Sequence, residues 1–255
     1  MAPSASGTVF VSEIFSAIQG EGALVGERQV FLRLAGCNLR CLYCDQPEAL
    51  VKAPGTARVE VRAGSRRWEW FDSPLVAQEV VRLVDGLLRQ LPHHSVSVTG
   101  GEPLMQADTL RPVLEQLKAA GHLISLETNG TLVSRLERIS SRIDHVSMDI
   151  KLPSVDGELV PLGVHRRFME ACEGSRLSVK IVIGPRTSTD ELAAAMELVH
   201  SVHSDSEVFL QPLTPFGSVT SAPSPADMLN LHELALRIHP RTRVVPQVHK
   251  LIGQL

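Results

Sequence analysis

The stretch QVFLRLAGCNLRCLYCD, residues 29–45, decides the fold of this chain. It opens with an apolar run, 29–36, that is typical of a strand and ends in a glycine. Three of the four cysteines follow in the next loop, at Cys37, Cys41 and Cys44. Ligands gather beyond the carboxyl ends of the strands in parallel α/β folds. The stretch therefore predicts a site at one end of such a sheet, with three thiols at its centre.

Strand and helix patterns alternate along the rest of the chain. Further strands are predicted at 94–101, 122–130, 143–151, 177–184, 206–213 and 243–250. Helices are predicted at 74–91, with Ser73 as N-cap and Pro74 in the first turn, and at 109–121, 161–173, 187–202 and 224–239. This alternation predicts a parallel sheet with crossover helices, and it leaves both a doubly wound sheet and a barrel open.

Residues 47–73 fit the alternation poorly and contain both tryptophans. We interpret them as an insertion over the cysteine loop, which forms either a lid or a surface hairpin. With this insertion, we predict a single domain over residues 1–255.

The composition narrows the class of protein. The 255 residues carry a net charge of −3 and are 44% hydrophobic, which is ordinary for a globular protein. This charge predicts no broad basic face for nucleic acid. The first residues lack a signal-peptide pattern, and no apolar run approaches the roughly 18 residues of a membrane span. We therefore expect a cytoplasmic protein whose cysteines are metal ligands or buried thiols.

Three closely spaced cysteines suit two kinds of metal centre. A structural zinc takes four ligands, and His122, His145 or Cys172 would have to supply the fourth. A [4Fe–4S] cluster is normally held by four thiolates, so three would leave one iron open to a substrate or cofactor. We interpret Cys172, in the segment MEACEG, as a buried helical thiol.

The spacing C-x3-C-x2-C, with Tyr43 just before the last cysteine, resembles the signature of radical S-adenosylmethionine (SAM) enzymes. The resemblance implies that the three cysteines hold a [4Fe–4S] cluster whose open iron binds SAM. Cleavage of SAM then yields a 5′-deoxyadenosyl radical, and no further catalytic residue is assigned. The implied SAM-binding residues lie in the cysteine loop and in the polar segments that follow the other strands, such as TGGEP at 99–103. They are Tyr43, Asp45, Gly101, Glu102, Asn129, Ser147, Lys151 and Gln211.

The segments EIFSAIQGEG (13–22), RLAGCNLRC (33–41) and VPQVHKLIGQL (245–255) resemble, more narrowly, the 7-carboxy-7-deazaguanine synthase family. The resemblance implies a partial (β/α) barrel of radical SAM type and a homodimer. The implied reaction contracts the ring of 6-carboxy-5,6,7,8-tetrahydropterin with loss of ammonia, in the biosynthesis of 7-deazapurines such as queuosine. Magnesium assists, and a flavodoxin- or ferredoxin-type protein supplies the electron.

The same resemblance implies a set of substrate-binding residues: Ile18, Gln19, Gly20, Glu21, Arg33, Thr99, His249 and, through its terminal carboxylate, Leu255. Arg33 either binds the substrate carboxylate or pairs with a structural acid. Gln46 stands where the family often has a Thr or Ser whose hydroxyl binds magnesium. We therefore expect the activity to depend less on magnesium than it does in the family, or to use another cation in place of magnesium.

Two other functions remain open at this point. A glycyl-radical activase, which acts on a partner protein, shares the cysteine spacing and a strand end like SMDIK at 147–151. It does not explain IQGEG or the His-Lys tail. A non-enzymatic zinc or iron–sulfur module is the second alternative, and it predicts a protein that does not cleave SAM.

Overall fold

The computed structural model describes residues 7–157, 160–172, 174–216 and 219–254. The strands are β1 Thr8–Val9, β2 Val11–Ile18, β3 Arg28–Leu34, β4 Thr56–Glu60, β5 Trp68–Asp72, β6 Leu75–Val76, β7 Ser95–Gly100, β8 Ile124–Thr128, β9 His145–Ile150, β10 Arg176–Ile183, β11 Glu207–Pro212 and β12 Thr242–Val244. The α-helices are α1 Ala77–Leu88, α2 Ala107–Ala119, α3 Val133–Leu136, α4 Pro153–Asp156, α5 Leu162–Glu170, α6 Thr189–Val202, α7 Pro225–Ile238 and α8 Val248–Leu251. Single 3₁₀ turns lie at Gly22–Leu24, Pro47–Leu50, Pro103–Gln106 and Ser140–Arg142.

Ten of these strands form one sheet in the order β12-β11-β10-β9-β8-β7-β3-β2-β4-β5. All neighbours from β3 to β12 in this order are parallel, and β2 is antiparallel to β3. The two remaining short strands, β1 and β6, pair with each other. The predicted parallel sheet with crossover helices is confirmed.

The two faces of the sheet differ in composition, as strand β3 shows. Val30, Leu32 and Leu34 join the main apolar core with helices α1, α2, α6 and α7. Successive side chains point to opposite faces of a strand, so Gln29 and Arg33 lie on the other face. That face is polar along the neighbouring parallel strands as well, and helices pack on one side only. The arrangement is therefore a partial barrel with a polar interior, and not a doubly wound sheet.

Several predicted element boundaries need correction. The helix predicted from residue 74 begins at Ala77 with Val76 as N-cap, because Leu75–Val76 pairs with Thr8–Val9 as strand β6. Ser73 and Pro74 therefore do not start this helix. The strand predicted at 243–250 ends at Val244, and the chain then turns into helix α8.

The sequence patterns did not predict strand β2, and they left open whether segment 47–73 is a lid or a hairpin. Strand β2, Val11–Ile18, pairs with β3, the strand that leads into the cysteine loop. The segment 47–73 pairs into the sheet as β4 and β5, with β4 parallel to β2. It is a hairpin that widens the sheet, so its position is fixed by backbone pairing.

The helix predicted at 187–202 is confirmed as α6, and it begins with a capping box. Ser188 accepts a hydrogen bond from the backbone N–H of Glu191, and the Glu191 carboxylate accepts one from the N–H of Ser188. This reciprocal pair satisfies two backbone donors at the first turn. No helix among the described residues is both long enough and apolar enough to cross a membrane.

Candidate active site

A cavity of about 210 Å³ lies at the carboxyl ends of the parallel strands. Its walls come from the cysteine loop, the strand ends of β7 to β11, the loop after β2 and the segment 247–250. Most of the site residues predicted from the sequence line this one cavity: Ile18, Gln19, Gly20, Glu21, Arg33, Tyr43, Asp45, Gln46, Thr99, Gly101, Asn129, Ser147, Lys151, Gln211 and His249. Leu255 lies outside the described residues.

The cysteine loop leaves strand β3 at a glycine. Gly36 has φ +88°, a conformation that glycine adopts without strain, and its N–H donates to the carbonyl of Ala49 at 2.7 Å. Its own carbonyl accepts from the N–H of Glu102 at 2.8 Å. The loop is thus fixed on both sides before the first cysteine.

All three cysteines of this loop line the cavity as free thiols. Cys37 is buried, and Cys41 and Cys44 are half-buried. Burial raises the pKa of the Cys37 and Cys41 thiols. Metal binding by these residues would therefore release protons, as it does for thiolate ligands in general.

The donor set fits an iron–sulfur cluster better than a single zinc. Within the described residues, no group of three His, Cys, Asp or Glu side chains is arranged to hold one metal ion. A [4Fe–4S] cluster does not require three side chains to converge on one ion, because each thiolate binds a different iron atom. Cys172 is buried in the main core, where its thiol donates to the carbonyl of Phe168 at 3.3 Å. The sequence prediction of a buried thiol is confirmed, but Cys172 lies in the turn after helix α5 and not within a helix, and it does not line the cavity.

Gly101 faces the cysteine loop at very short range. A Cβ atom at this position would lie 2.4 Å from the carbonyl oxygen of Gly36 and 2.8 Å from the Cβ of Cys37. Any side chain would displace the loop, so the bare backbone is required for the two segments to meet.

Glu102 points away from the cavity and is fully buried. Its carboxylate accepts hydrogen bonds from the N–H of Leu104 at 3.0 Å, the hydroxyl of Thr128 at 2.9 Å and the N–H of Asn129 at 2.8 Å. Burial raises the pKa of Glu102 to about 7. The oxygens of Glu102 thus join the ends of β7 and β8, and its predicted contact with the SAM amino group stays a prediction.

Lys151 lies in the cavity wall beside the cysteine loop. Its ammonium donates to the hydroxyl of Tyr43 at 2.8 Å and to the carboxylate of Asp149 at 2.9 Å. Burial opposes its charge, but Asp149 and Tyr43 outweigh burial and raise the pKa of Lys151 well above its ordinary value. A permanent positive charge is therefore present next to the cysteines.

Glu127, on strand β8, lines the cavity and accepts several hydrogen bonds. Its carboxylate accepts from Gln19 Nε2 at 2.7 Å, from the hydroxyl of Ser97 at 2.8 Å and from that of Thr99 at 3.0 Å. Gln19 in turn accepts from the N–H of Glu21 at 3.1 Å. The predicted residues Gln19 and Thr99 are thus brought together by an acid that the sequence interpretation did not assign.

Glu21 is held by three side chains from distant parts of the chain. Its carboxylate forms an ion pair with Lys180 and accepts from the amides of Gln211 at 3.2 Å and Gln247 at 2.9 Å. Burial opposes ionisation, but Lys180 outweighs it and holds the pKa of Glu21 below its ordinary value. Lys180 and Gln247 were not predicted as site residues. A lysine inside the apolar run LSVKIVIG was the available signal for Lys180.

The segment 247–250 closes over the loop that carries Gly20. The N–H of Val248 donates to the carbonyl of Gly20 at 3.0 Å, and a Cβ on Gly20 would lie 2.1 Å from Nδ1 of His249. Lys250 forms an ion pair with Asp45 at 3.0 Å. His249 therefore reaches the cavity only because residue 20 has no side chain. Burial lowers the pKa of His249, which favours the neutral ring.

Arg33 is paired with an acid of strand β2. Its Nε donates to Glu13 at 3.2 Å, and Glu13 also accepts from Arg58 of the hairpin at 2.5 Å. The Arg33 guanidinium lies 5.5 Å from the ring centre of Phe15. Arg33 borders both the main cavity and a neighbouring one of about 510 Å³ under the hairpin. The structural-acid pairing is present, and the same arginine still faces the site.

The chain matches known proteins along most of its length. Residues 32–210 match the Radical SAM superfamily. A protein named 7-carboxy-7-deazaguanine synthase from Geobacter sulfurreducens is 40% identical over 96% of this chain and 97% of its own length. A protein of the same name from Methanothermobacter thermautotrophicus is 32% identical over 95% of this chain and 96% of its own.

Two solved structures share the fold. QueE from Escherichia coli matches with a TM-score of 0.59 at 18% identity, over 95% of both chains. Streptococcus suis SuiB bound to S-adenosylmethionine matches with a TM-score of 0.52 at 16% identity, over 82% of this chain and 44% of that one. At these identities the likeness concerns the fold alone.

Proposed function

Because this chain belongs to the 7-carboxy-7-deazaguanine synthase family of the radical SAM superfamily, we infer that it converts 6-carboxy-5,6,7,8-tetrahydropterin to 7-carboxy-7-deazaguanine with loss of ammonia. The observation that carries this function is the 40% sequence identity with a synthase over 96% of this chain. The cysteine loop, the IQGEG loop and the His-Lys segment, which carried the resemblance, also meet around one cavity.

The family implies a [4Fe–4S] cluster and SAM. When bound and reduced, this pair supplies a 5′-deoxyadenosyl radical that abstracts a hydrogen atom from the substrate. We propose that Cys37, Cys41 and Cys44 hold the cluster. The chain's own charges fit a zwitterionic cofactor: Lys151 is cationic beside the cysteines, and Asp149 and Glu21 are anionic nearby.

The opposite wall has the polar groups that a carboxylated pterin requires. A carboxylate offers about four acceptor positions, and Glu127 uses three of them within the chain. The fourth is available to a ring N–H or the amino group of the substrate. Arg33 supplies the charge for the substrate carboxylate, and a guanidinium suits that group because it donates two parallel hydrogen bonds.

The segment 247–250 covers the cavity and limits the access of water. Val248 and Lys250 attach it to the two loops on either side, through Gly20 and Asp45. Excluding water protects a radical intermediate from side reactions. We propose that Leu255 approaches the substrate from this segment, as the resemblance implies.

Magnesium stays a prediction from the resemblance. Gln46 lines the cavity, but the carboxylate next to it, that of Asp45, is paired with Lys250 and Gln247. Magnesium prefers several oxygen ligands in octahedral geometry. The described residues around Gln46 do not supply such a set, so no step is derived through a magnesium ion.

The remaining expectations are proposals of the same kind. We propose that one domain carries the activity, that the chain forms a homodimer, and that a flavodoxin- or ferredoxin-type protein donates the electron in the cytoplasm. The glycyl-radical activase is less well supported, because the IQGEG loop and segment 247–250 occupy the opening that a partner protein would have to reach.

Anaerobic turnover tests the function directly. We would load the protein with iron and sulfide, add dithionite, SAM and 6-carboxytetrahydropterin, and detect 7-carboxy-7-deazaguanine by mass spectrometry. We expect product, and many turnovers per SAM, since the hydrogen atom returns to regenerate the cofactor. A titration with magnesium in the same assay, against a chelator, should change the rate only weakly. Formation of 5′-deoxyadenosine without deazaguanine would mean that the substrate is wrong.

Arg33→Ala should weaken binding of the carboxylated pterin. We expect KM to rise by roughly tenfold or more, because a charge-assisted contact with the substrate is lost. Cluster content, measured by iron analysis and absorbance, should not change.

Arg58→Ala is the matched control, because Glu13 keeps one arginine partner in either variant. We expect it to leave KM near the wild-type value. Equal effects of the two substitutions would assign Arg33 a purely structural role.

A further inference from the structure

We propose that Lys180 is a positioning residue that couples binding of the pterin to binding of SAM. This inference rests on the proposed function and concerns a residue that carries no predicted role. It is drawn from one feature: the Lys180 ammonium pairs with carboxylates of two separate segments, Glu21 in the loop after β2 and Asp149 on β9.

The position of Lys180 follows from the sheet. It lies on strand β10, directly opposite Asp149 of the parallel strand β9, and its ammonium is 3.3 Å from that carboxylate. Side chains at i and i+2 share a face, so Ser178 and Val182 point to the same polar interior. Only 13% of the Lys180 side chain is exposed. The lysine is thus a buried charge that needs its partners.

One partner, Glu21, belongs to the substrate side. Glu21 follows Gln19 and Gly20 in the loop after β2, and it lies 159 positions away from Lys180 in the sequence. Gln211 and Gln247 donate to the other oxygen of the same carboxylate. Lys180 therefore fixes the loop that carries the predicted pterin contacts, together with the segment that closes over it.

The other partner, Asp149, belongs to the cofactor side. Its second oxygen accepts from Lys151, whose ammonium also donates to the hydroxyl of Tyr43. Tyr43 directly precedes Cys44, the last cysteine of the loop. A chain of charged contacts thus runs from Glu21 through Lys180, Asp149 and Lys151 to the cysteine loop.

The charges of the four groups in this series of contacts sum to zero. Glu21 and Asp149 are negative, and Lys151 and Lys180 are positive. Removing Lys180 leaves two half-buried carboxylates with one ammonium, so Glu21 loses its cation and Asp149 keeps only Lys151. A ligand that orders Glu21 then no longer affects Asp149 through a shared partner. Since a coupling free energy between two sites is reciprocal, each ligand should lose its effect on the other.

The coupling can be measured without turnover. We would use isothermal titration calorimetry on the anaerobic, cluster-loaded protein without reductant, and determine Kd for SAM with and without saturating 6-carboxytetrahydropterin. In the wild type we expect SAM to bind about tenfold more tightly when the pterin is present. In Lys180→Met, which keeps the length of the side chain and removes its charge, we expect this ratio to fall to about one.

Three further variants make the result specific. Lys180→Arg keeps the positive charge and should restore most of the ratio. Lys180→Gln also removes the charge, and we expect the same loss of the ratio as in Lys180→Met. The test therefore stands even if one of the two variants does not fold. Lys118→Met is the matched control, since Lys118 pairs with Asp144 at 2.6 Å but does not line the cavity. It should retain the wild-type ratio.

A wild-type ratio of one, or an unchanged ratio in both neutral variants, would overturn the proposal. A merely structural lysine would weaken each ligand by the same factor whether or not the other is bound, and so would leave the ratio intact. Failure of the proposed function would appear elsewhere, as an absence of product in the turnover assay of the wild type.

Discussion

Cys41→Ala should contain little iron and give no detectable 5′-deoxyadenosine with SAM and dithionite. Cys41 lines the cavity as a free thiol, and three thiolates are the smallest set that holds a [4Fe–4S] cluster with one open iron. Loss of one ligand leaves two irons without a protein thiolate. Iron and sulfide analysis, absorbance near the cluster band and chromatography of the nucleoside products measure the outcome.

Cys172→Ala is the matched control for this substitution. Its thiol is buried in the main core and donates to a backbone carbonyl. We expect full iron content and normal SAM cleavage, with a stability loss of roughly 1 kcal/mol from the small cavity created. Loss of iron from Cys172→Ala, or retention of a normal cluster in Cys41→Ala, would refute the assignment of the three-cysteine ligand set.

Gly20→Ala should lower kcat/KM for the pterin by roughly 100-fold, since misplacing a substrate-positioning segment by about 1 Å can cost that factor. The new Cβ would lie 2.1 Å from Nδ1 and 2.5 Å from the backbone nitrogen of His249. A methyl group cannot share that space, so segment 247–250 must move away from the loop. Iron content and the affinity for SAM alone should stay near wild type. Steady-state kinetics and calorimetry separate these quantities.

Gly86→Ala provides the control for the change from glycine to alanine. Gly86 lies within helix α1, and a Cβ there meets no atom within 4 Å. Alanine is the better helix former by roughly 1 kcal/mol, so this variant should be slightly more stable and fully active. If Gly20→Ala also kept full activity, segment 247–250 would not be part of the site.

The sequence predicted the parallel part of the fold well, for a physical reason. Strands such as 94–101 and 177–184 carry buried apolar residues at alternate positions, and they alternate with amphipathic helices, so local pattern and tertiary environment agree. Strand β2 was missed because two buried polar residues, Glu13 and Ser16, interrupt its apolar pattern. Segment 247–250 was predicted as strand, but Val248 bonds to Gly20 instead of to a neighbouring strand.

The candidate site was predictable where a residue acts through its type and spacing. The cysteines, Gly101 and Gln19 could be assigned in this way, and the structure places them around one cavity. Glu127 and Lys180 were not assigned, because Gln19 and Glu21, the partners that tie them to the predicted residues, lie far away in the sequence. Glu102 shows the opposite case, since an acid in a conspicuous motif accepts hydrogen bonds from the backbone of its own turn, at Leu104, and from the end of β8, at Asn129.

The contact between the loop after β2 and segment 247–250 also bears on how the chain folds. Glu21 and Gln247 are separated by 226 positions, which is close to the largest sequence separation that the fold contains. Contacts of this kind raise the contact order of a protein and form late, because the entropy of closing a long loop is lost before the contact is gained. The cavity is thus completed only after the intervening strands have assembled. A partly folded chain would therefore present its cysteines before segment 247–250 covers the cavity.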